Sequence, residues 1–290
     1  MNYEWYPGHM TRAIRSIRED LGLVDMIIEL ADARIPVSSR NPDIGDLCGN
    51  KLRLLVFTKA DLADEKRLRG FIEVSKGEGI ETLSVSLKSS SARSEILKKI
   101  DSICREKRER DKKRGLLVRP VRALVAGIPN VGKSTLINLL AGKSAAKTGN
   151  KPGVTRGKQW IQTGKDLLLL DSPGLLWPRT GDTEAGELLA VIGSMNDDRF
   201  DMTGIAAILL KKLELGYPSA VNDRYGIEVT ASDNSQEILE KIAVKRGFLG
   251  AGAVPDINKA AGALIDDMRK GKLGGIVLDG LGEEEHETGD

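Results

Sequence analysis

Cysteine is almost absent. The 290-residue chain has two, Cys48 and Cys104, in unrelated surroundings. Two cannot build a disulfide framework or a cysteine-based zinc site, and they suit a reducing, cytoplasmic setting. Long apolar runs are missing too. No stretch approaches the roughly 18 residues that a membrane-spanning helix needs, so no membrane association is expected. The opening Met1-Asn2-Tyr3-Glu4-Trp5 has no basic region leading into an apolar one, so no secretory signal is expected either. Histidine occurs only as His9 and His286. An excess of one charge sign is also lacking: 44 Lys and Arg face 42 Asp and Glu, and a net charge of +2 argues at first sight against a nucleic-acid partner. What is present is a globular composition. Hydrophobic residues make up 40% and charged residues 30%, enough for a packed core and too apolar for a disordered chain. The length fits about two domains.

Apolar runs at 23–30, 52–57 and 121–126 are short, rich in Leu, Val and Ile, and bounded by polar or turn residues. They read as buried parallel strands, and 166–170 reads the same way. Helical patterns lie between them, at 64–76 and 93–104. The second runs into 105–114, where seven basic and three acidic residues are expected to form a solvated helix end and linker. This alternation predicts an α/β domain, a mostly parallel sheet with helices on both faces. After about residue 178 the strand signals stop. Segments 184–195, 203–215, 235–246 and 257–270 read as helices of a small all-α domain, punctuated by Pro218, Pro255, Gly247, Gly250 and Gly252. The expected division is 1–178, 179–282 and an acidic tail over 283–290.

Gly127-Ile128-Pro129-Asn130-Val131-Gly132-Lys133-Ser134 matches the phosphate-binding pattern G-x-x-x-x-G-K-[ST] in full, between the strand pattern 121–126 and the helical 135–141. Backbone N–H groups of Asn130, Val131, Gly132 and Thr135 are expected to close around phosphates. Lys133 reaches the β- and γ-phosphates, a binding and catalytic role. The Ser134 hydroxyl would ligate Mg²⁺. Thr58-Lys59-Ala60-Asp61 follows the strand 52–57. A carboxylate there can accept two hydrogen bonds from guanine N1–H and the 2-amino group. Adenine offers no such donor pair, so GTP is the expected nucleotide. The stem of Lys59 can cover the base.

Three further pieces fit a GTPase. Pro152-Gly153-Val154-Thr155 supplies Thr155 as a second metal ligand when a γ-phosphate is present. Asp171-Ser172-Pro173-Gly174 ends the strand 166–170, with Asp171 on the metal through water and the Gly174 N–H at the γ-phosphate. Ser84-Val85-Ser86-Leu87-Lys88 is the weakest match, with Ser86 and Leu87 beside the base. The order of these pieces is rotated. The base motif precedes the phosphate loop, whereas the usual GTPase order is the reverse. A circular permutation costs a fold little, because domain termini often lie close together.

Trp5-Tyr6-Pro7-Gly8-His9-Met10, Asp32-Ala33-Arg34-Ile35-Pro36 and Ser39-Arg40-Asn41-Pro42 resemble the RbgA/YlqF family of circularly permuted GTPases. Arg246-Gly247, Asp256 with Ala260-Ala261, and Arg269-x-Gly271-Lys272-Leu273-Gly274 are similar to that family's C-terminal pattern, so the resemblance covers nearly the whole chain. Two departures stand out: Thr58 replaces a common Asn, and Leu87 replaces a small residue, leaving its contact to backbone. The resemblance implies action in assembly of the large ribosomal subunit, with ribosomal RNA and proteins as partners of a monomer. It also implies that His9 orients the attacking water. The position where small GTPases carry a water-orienting glutamine is Leu175, followed by Leu176 and Trp177, and none of these can do so. From the residues alone, His9 could equally cap a turn or contact RNA. In related GTPases an Asn at the place of Asn130 accompanies a K⁺ ion, and the alternative is a simple turn-stabilising role.

Residues 241–272 carry seven basic and three acidic side chains and few aromatics, which suits structured RNA gripped through phosphate and shape. The small net charge averages this stretch and 105–114 with the acidic tail, so it excludes nothing about RNA. A GTP-dependent RNA-binding scaffold without catalysis is the alternative to an enzyme.

Overall fold

The computed structural model describes residues 20–42, 44–115, 119–142, 159–171, 183–195 and 201–281. Six strands there form one sheet: β1 (Met26–Asp32), β2 (Leu52–Thr58), β3 (Glu81–Val85), β4 (Val121–Gly127), β5 (Gln159–Thr163) and β6 (Leu167–Asp171). Their order is β3-β2-β1-β4-β6-β5. Neighbours run parallel except β5 against β6. Every residue of β1 is buried, which is why its run is mostly apolar instead of alternating, and its one mid-strand charge, Glu29, is paired with Arg53 of β2. Met26, Ile28 and Leu30 share a core with α3 (Ala92–Lys113) and α4 (Lys133–Ala141). On the opposite face Ile27 packs with Ile44 and Cys48 of α1 (Ile44–Cys48), and Ala31 packs with Leu68 of α2 (Glu65–Gly77). Cys48 and Cys104 are buried free thiols.

The chain lays down β1, β2 and β3 outward on one side, then returns to place β4 beside β1. The order therefore reverses between β1 and β4. Ligand crevices of open α/β sheets form at such a reversal, outside the carboxyl ends of the strands. Asp32, Thr58, Val85, Gly127 and Asp171 all end strands on that edge.

Four elements differ from expectation. Residues 105–113 are not linker but the second half of α3. Ile96, Ile100 and Cys104 anchor the first half at i, i+4 spacing. No Gly or Pro interrupts the rest until Gly115, Lys107 pairs with Asp111 one turn on, and Arg110, Lys112 and Lys113 complement the helix dipole. Strand β5 escapes a pattern search because it is an edge strand of mixed polarity, with Trp160 38% exposed beneath the Arg122 guanidinium. The short α1 and α7 (Ala220–Tyr225) carry too few turns for a periodic signal.

The C-terminal helices are α5 (Thr183–Val191), α6 (Met202–Gly216), α7, α8 (Ser235–Arg246) and α9 (Ile257–Arg269). Polar caps start three of them: Asp201 for α6, the Asn234–Glu237 capping box for α8 and Asp256 for α9. Their apolar residues, such as Leu188, Leu209 and Leu264, belong to one cluster with the β1, α3 and α4 core. Residues 276–281 return to the sheet. Ile276 N donates to Leu62 O, Leu278 N to Arg34 O, and the Asp279 carboxylate accepts from Val37 N and Ser38 N. The boundary expected near 178 and the tail 283–290 lie outside the described residues.

Gly275 sits at this return. A Cβ there would stand 2.7 Å from Ala63 O, a backbone atom with no freedom to yield. Gly275→Ala is expected to cost about 1–3 kcal/mol, read as a lower melting temperature. Gly262→Ala, in the middle of α9 with open space at the same position, is the control and should hold or raise it.

Candidate functional site

The phosphate loop turns on two glycines. Gly127 ends β4 at φ 154°, where a Cβ would meet Leu30 O at 2.7 Å. Gly132 caps α4 at φ 109° and offers no side-chain acceptor to the helix's first amides. Those amides, with the positive end of the helix dipole, suit a phosphate. Lys133 is buried, and its Nζ donates to Gly127 O (3.0 Å) and Ile128 O (2.8 Å). Burial pushes its pKa down to about 8, with Asp171 opposing. Ser134 is half-buried and Thr135 exposed in the same turn. Asp171, buried, pairs across from Val125 of β4 and so shares the edge.

The base motif sits beside it. Thr58 is fully buried, and its Oγ1 donates to Val131 O at 2.7 Å, with Ala31 O at 3.2 Å. This bond ties the end of β2 to the phosphate loop. Lys59 has left-handed backbone (φ 56°), which starts the turn Ala60–Leu62 and leaves Asp61 exposed. The Leu87 side chain packs on Gly132, 3.0 Å from where a Cβ would stand. Ser86 is half-buried at the end of β3 and accepts from Ser89 N through its carbonyl.

Two groups beside this site had no role in the sequence reading. The Asp32 carboxylate, fully buried, accepts from Lys59 Nζ (2.8 Å), Arg34 Nε (2.9 Å) and Arg34 Nη2 (2.7 Å). Burial works against that charge, but Arg34 and Lys59 outweigh it and hold the carboxyl far below the usual range. Lys59 is shifted down by burial, with Asp32 opposing and Arg34 and Arg269 adding to the shift. The signal was available: an acid two residues before an arginine at the end of a mostly apolar strand must find partners if the strand is buried.

The helical segment touches the loop directly. Asn130, at φ 60°, donates from Nδ2 to Gly193 O (2.7 Å), just beyond α5. Arg269, from the end of α9, caps α5 by donating to Val191 O and Ala190 O. Several basic residues expected to face RNA are therefore engaged within the protein: Arg269 here, Lys241 with Asp233, Lys270 with Asp266 and Lys272 with Asp267. Arg246 stacks over Tyr225. His9, Thr155 and Gly174 lie outside the described residues, as do Trp5–Met10 and Leu175–Trp177.

Residues 122–209 match the family model described as a 50S ribosome-binding GTPase. Ribosome biogenesis GTPase A of Bacillus licheniformis is 41% identical over 96% of this chain and 98% of its own; that of Bacillus cereus is 39% identical over 96% and 94%. The chain belongs to the ribosome biogenesis GTPase A family. It is thus a GTP-binding GTPase of ribosome biogenesis. Mitochondrial ribosome-associated GTPase 1 of Xenopus tropicalis is 31% identical over 95% of this chain. The GNP-bound YlqF from T. maritima superposes with a TM-score of 0.64 at 28% identity, covering 92% of this chain and 97% of that one. A GDP-bound YlqF gives 0.67 at 27%, covering 91% and 98%. Among the described residues of this GTPase, no helix is long and apolar enough to cross a membrane.

A phosphate beside Lys133 favours its charged form, so nucleotide binding raises a pKa that stands at about 8 in the free protein. Affinity for GDP should be level below that pH and weaken above it, by up to about tenfold per pH unit. Titrations between about pH 7 and 9.5 check this, and Lys133→Met should flatten the profile.

Proposed function

We propose that this GTPase binds GTP across the phosphate loop and the Thr58–Asp61 turn, hydrolyses it with Mg²⁺, and uses hydrolysis to leave an immature large ribosomal subunit. The observation that carries the reading is the Thr58–Val131 hydrogen bond, which fixes the base-reading and phosphate-binding loops to one edge of the sheet. In this reading Asp61 accepts from guanine, while Asn130, Val131, Gly132, Lys133, Ser134 and Thr135 surround the phosphates. Thr58, Lys59, Ala60, Ser86 and Leu87 complete the base side.

The donors are hard oxygens, the Ser134 hydroxyl in the first turn of α4 and the Asp171 carboxylate at the end of β6, and they fit Mg²⁺. Ser134 and Thr155 would hold it directly and Asp171 through water. When bound, the ion neutralises charge on the β- and γ-phosphates. Lys133 faces the transferred group, the Gly174 N–H contacts the γ-phosphate, and His9 orients the water. Asn130 would offer its side-chain oxygen to K⁺, since its amide nitrogen is committed to Gly193 O. Loss of the γ-phosphate would release the segment after Asp171 and shift the helical part, taken as 179–282, which meets ribosomal RNA. The GTPase part is taken as 1–178, acting as a cytoplasmic monomer with no membrane partner.

Turnover measured with and without purified large subunits tests the proposal. Large subunits should stimulate it, His9→Ala should remove that stimulation while GTP still binds, and Na⁺ in place of K⁺ should lower the rate. GTP binding with no stimulation would favour a GTP-dependent scaffold instead.

A further inference from the structure

We infer that Asp32 and Arg34 are positioning residues of the guanine site, which act by holding the Lys59 side chain as a fixed plate beside Asp61. The inference rests on the reading of Thr58–Asp61 as the base motif and gives two residues outside that motif a part in nucleotide affinity.

Lys59 has left-handed backbone without being glycine, a conformation that persists only where surroundings impose it. The surroundings are specific. The ammonium is 2.8 Å from Asp32 Oδ2, and its side chain is 28% exposed, so water could compete for it. Asp32 itself cannot turn away. Arg34 grips both of its oxygens, Arg34 N donates to Oδ1 (3.1 Å), and the Asp32 backbone N–H is bonded to Ser39 Oγ (2.8 Å). Arg34 is fixed in turn, because its Nη1 reaches the Arg269 carbonyl at 3.4 Å and its own carbonyl accepts from Leu278 N. One immobile carboxylate thus serves two cations. The four-carbon stem of Lys59 is stretched between a rigid backbone and a rigid anchor, which removes rotamer freedom that base binding would otherwise have to remove.

GDP titration of the full-length protein tests this, with melting temperatures taken in parallel. Lys59→Met keeps the apolar stem, removes the tether and leaves the Asp32–Arg34 pair intact, so it is the variant least exposed to misfolding. Asp32→Asn removes the anchor. Each should weaken GDP binding about tenfold, and the double variant should bind no worse than the poorer single one. That non-additivity is the signature of action through Lys59, and a purely structural Asp32 would not produce it. Asp61→Ala, which removes the guanine acceptor itself, should lose far more affinity.

Wild-type GDP affinity in Lys59→Met, or in an Asp32→Asn protein that only melts earlier, overturns the inference. So do additive losses in the double variant. Should Asp61→Ala keep its GDP affinity, the base-motif reading falls and the inference falls with it. Loss in Asp61→Ala beside normal binding in Asp32→Asn overturns the inference alone.

Discussion

The Asp32 carboxylate lies at the end of the central strand with no solvent contact, and much of the molecule is arranged around it. An isolated buried carboxylate would cost more than a domain's whole stability margin. Arg34 and Lys59 make the charge tolerable, and each brings a separate part of the chain with it. Lys59 brings the turn after β2. Arg34 brings the end of α9 through the Arg269 carbonyl, and the return segment through Leu278. Removing Asp32 would leave both cations without their shared partner, so this one carboxylate links the pieces.

That arrangement makes a rotated motif order harmless. Geometry in a parallel sheet depends on which strands are neighbours, not on which is made first. β2 stands beside β1, β1 beside β4, and β4 beside β6, so the base turn, the buried carboxylate, the phosphate loop and Asp171 line one edge in that sequence. The rotation does change which elements the sheet's last strand leads into. The helices come after β6, and just beyond their first member, α5, the Gly193 carbonyl holds Asn130 of the phosphate loop. Arg269 closes the same helix end from α9. A Cβ on Gly193 would stand 2.9 Å from the Arg269 guanidinium, so this three-way junction leaves no spare volume.

Much of the site was legible because its signals are local. A phosphate loop needs glycines, a lysine and a hydroxyl at fixed offsets, and a buried parallel strand needs a mostly apolar run; both survive in one sequence read alone. The break after β2 was legible as a polar turn at Lys59–Asp61 following an apolar strand. What was hidden depends on partners far along the chain. Nothing near Asp32 announces Lys59, 27 residues on, and nothing near Asn130 announces Gly193, 63 residues on. Within the basic stretch 241–272, Arg269 is committed to the Ala190 and Val191 carbonyls and Lys241 to Asp233, partners that sequence spacing does not reveal. Residues 105–113 misled: their charge reads as linker, yet Arg, Glu and Lys are good helix formers and Gly115 is the first residue to stop them.

The base turn, the phosphate loop and the C-terminal helices are connected through Asp32, Asn130 and Arg269. Amide hydrogen exchange with and without GDP tests whether they respond as one unit. Exchange is expected to slow on GDP binding at Ile192–Ser194, beyond α5, and at Lys270–Leu278, beyond α9, as well as at the phosphate loop and the Thr58–Asp61 turn. Protection confined to the phosphate loop and the Thr58–Asp61 turn, with those two distant segments unchanged, would contradict it.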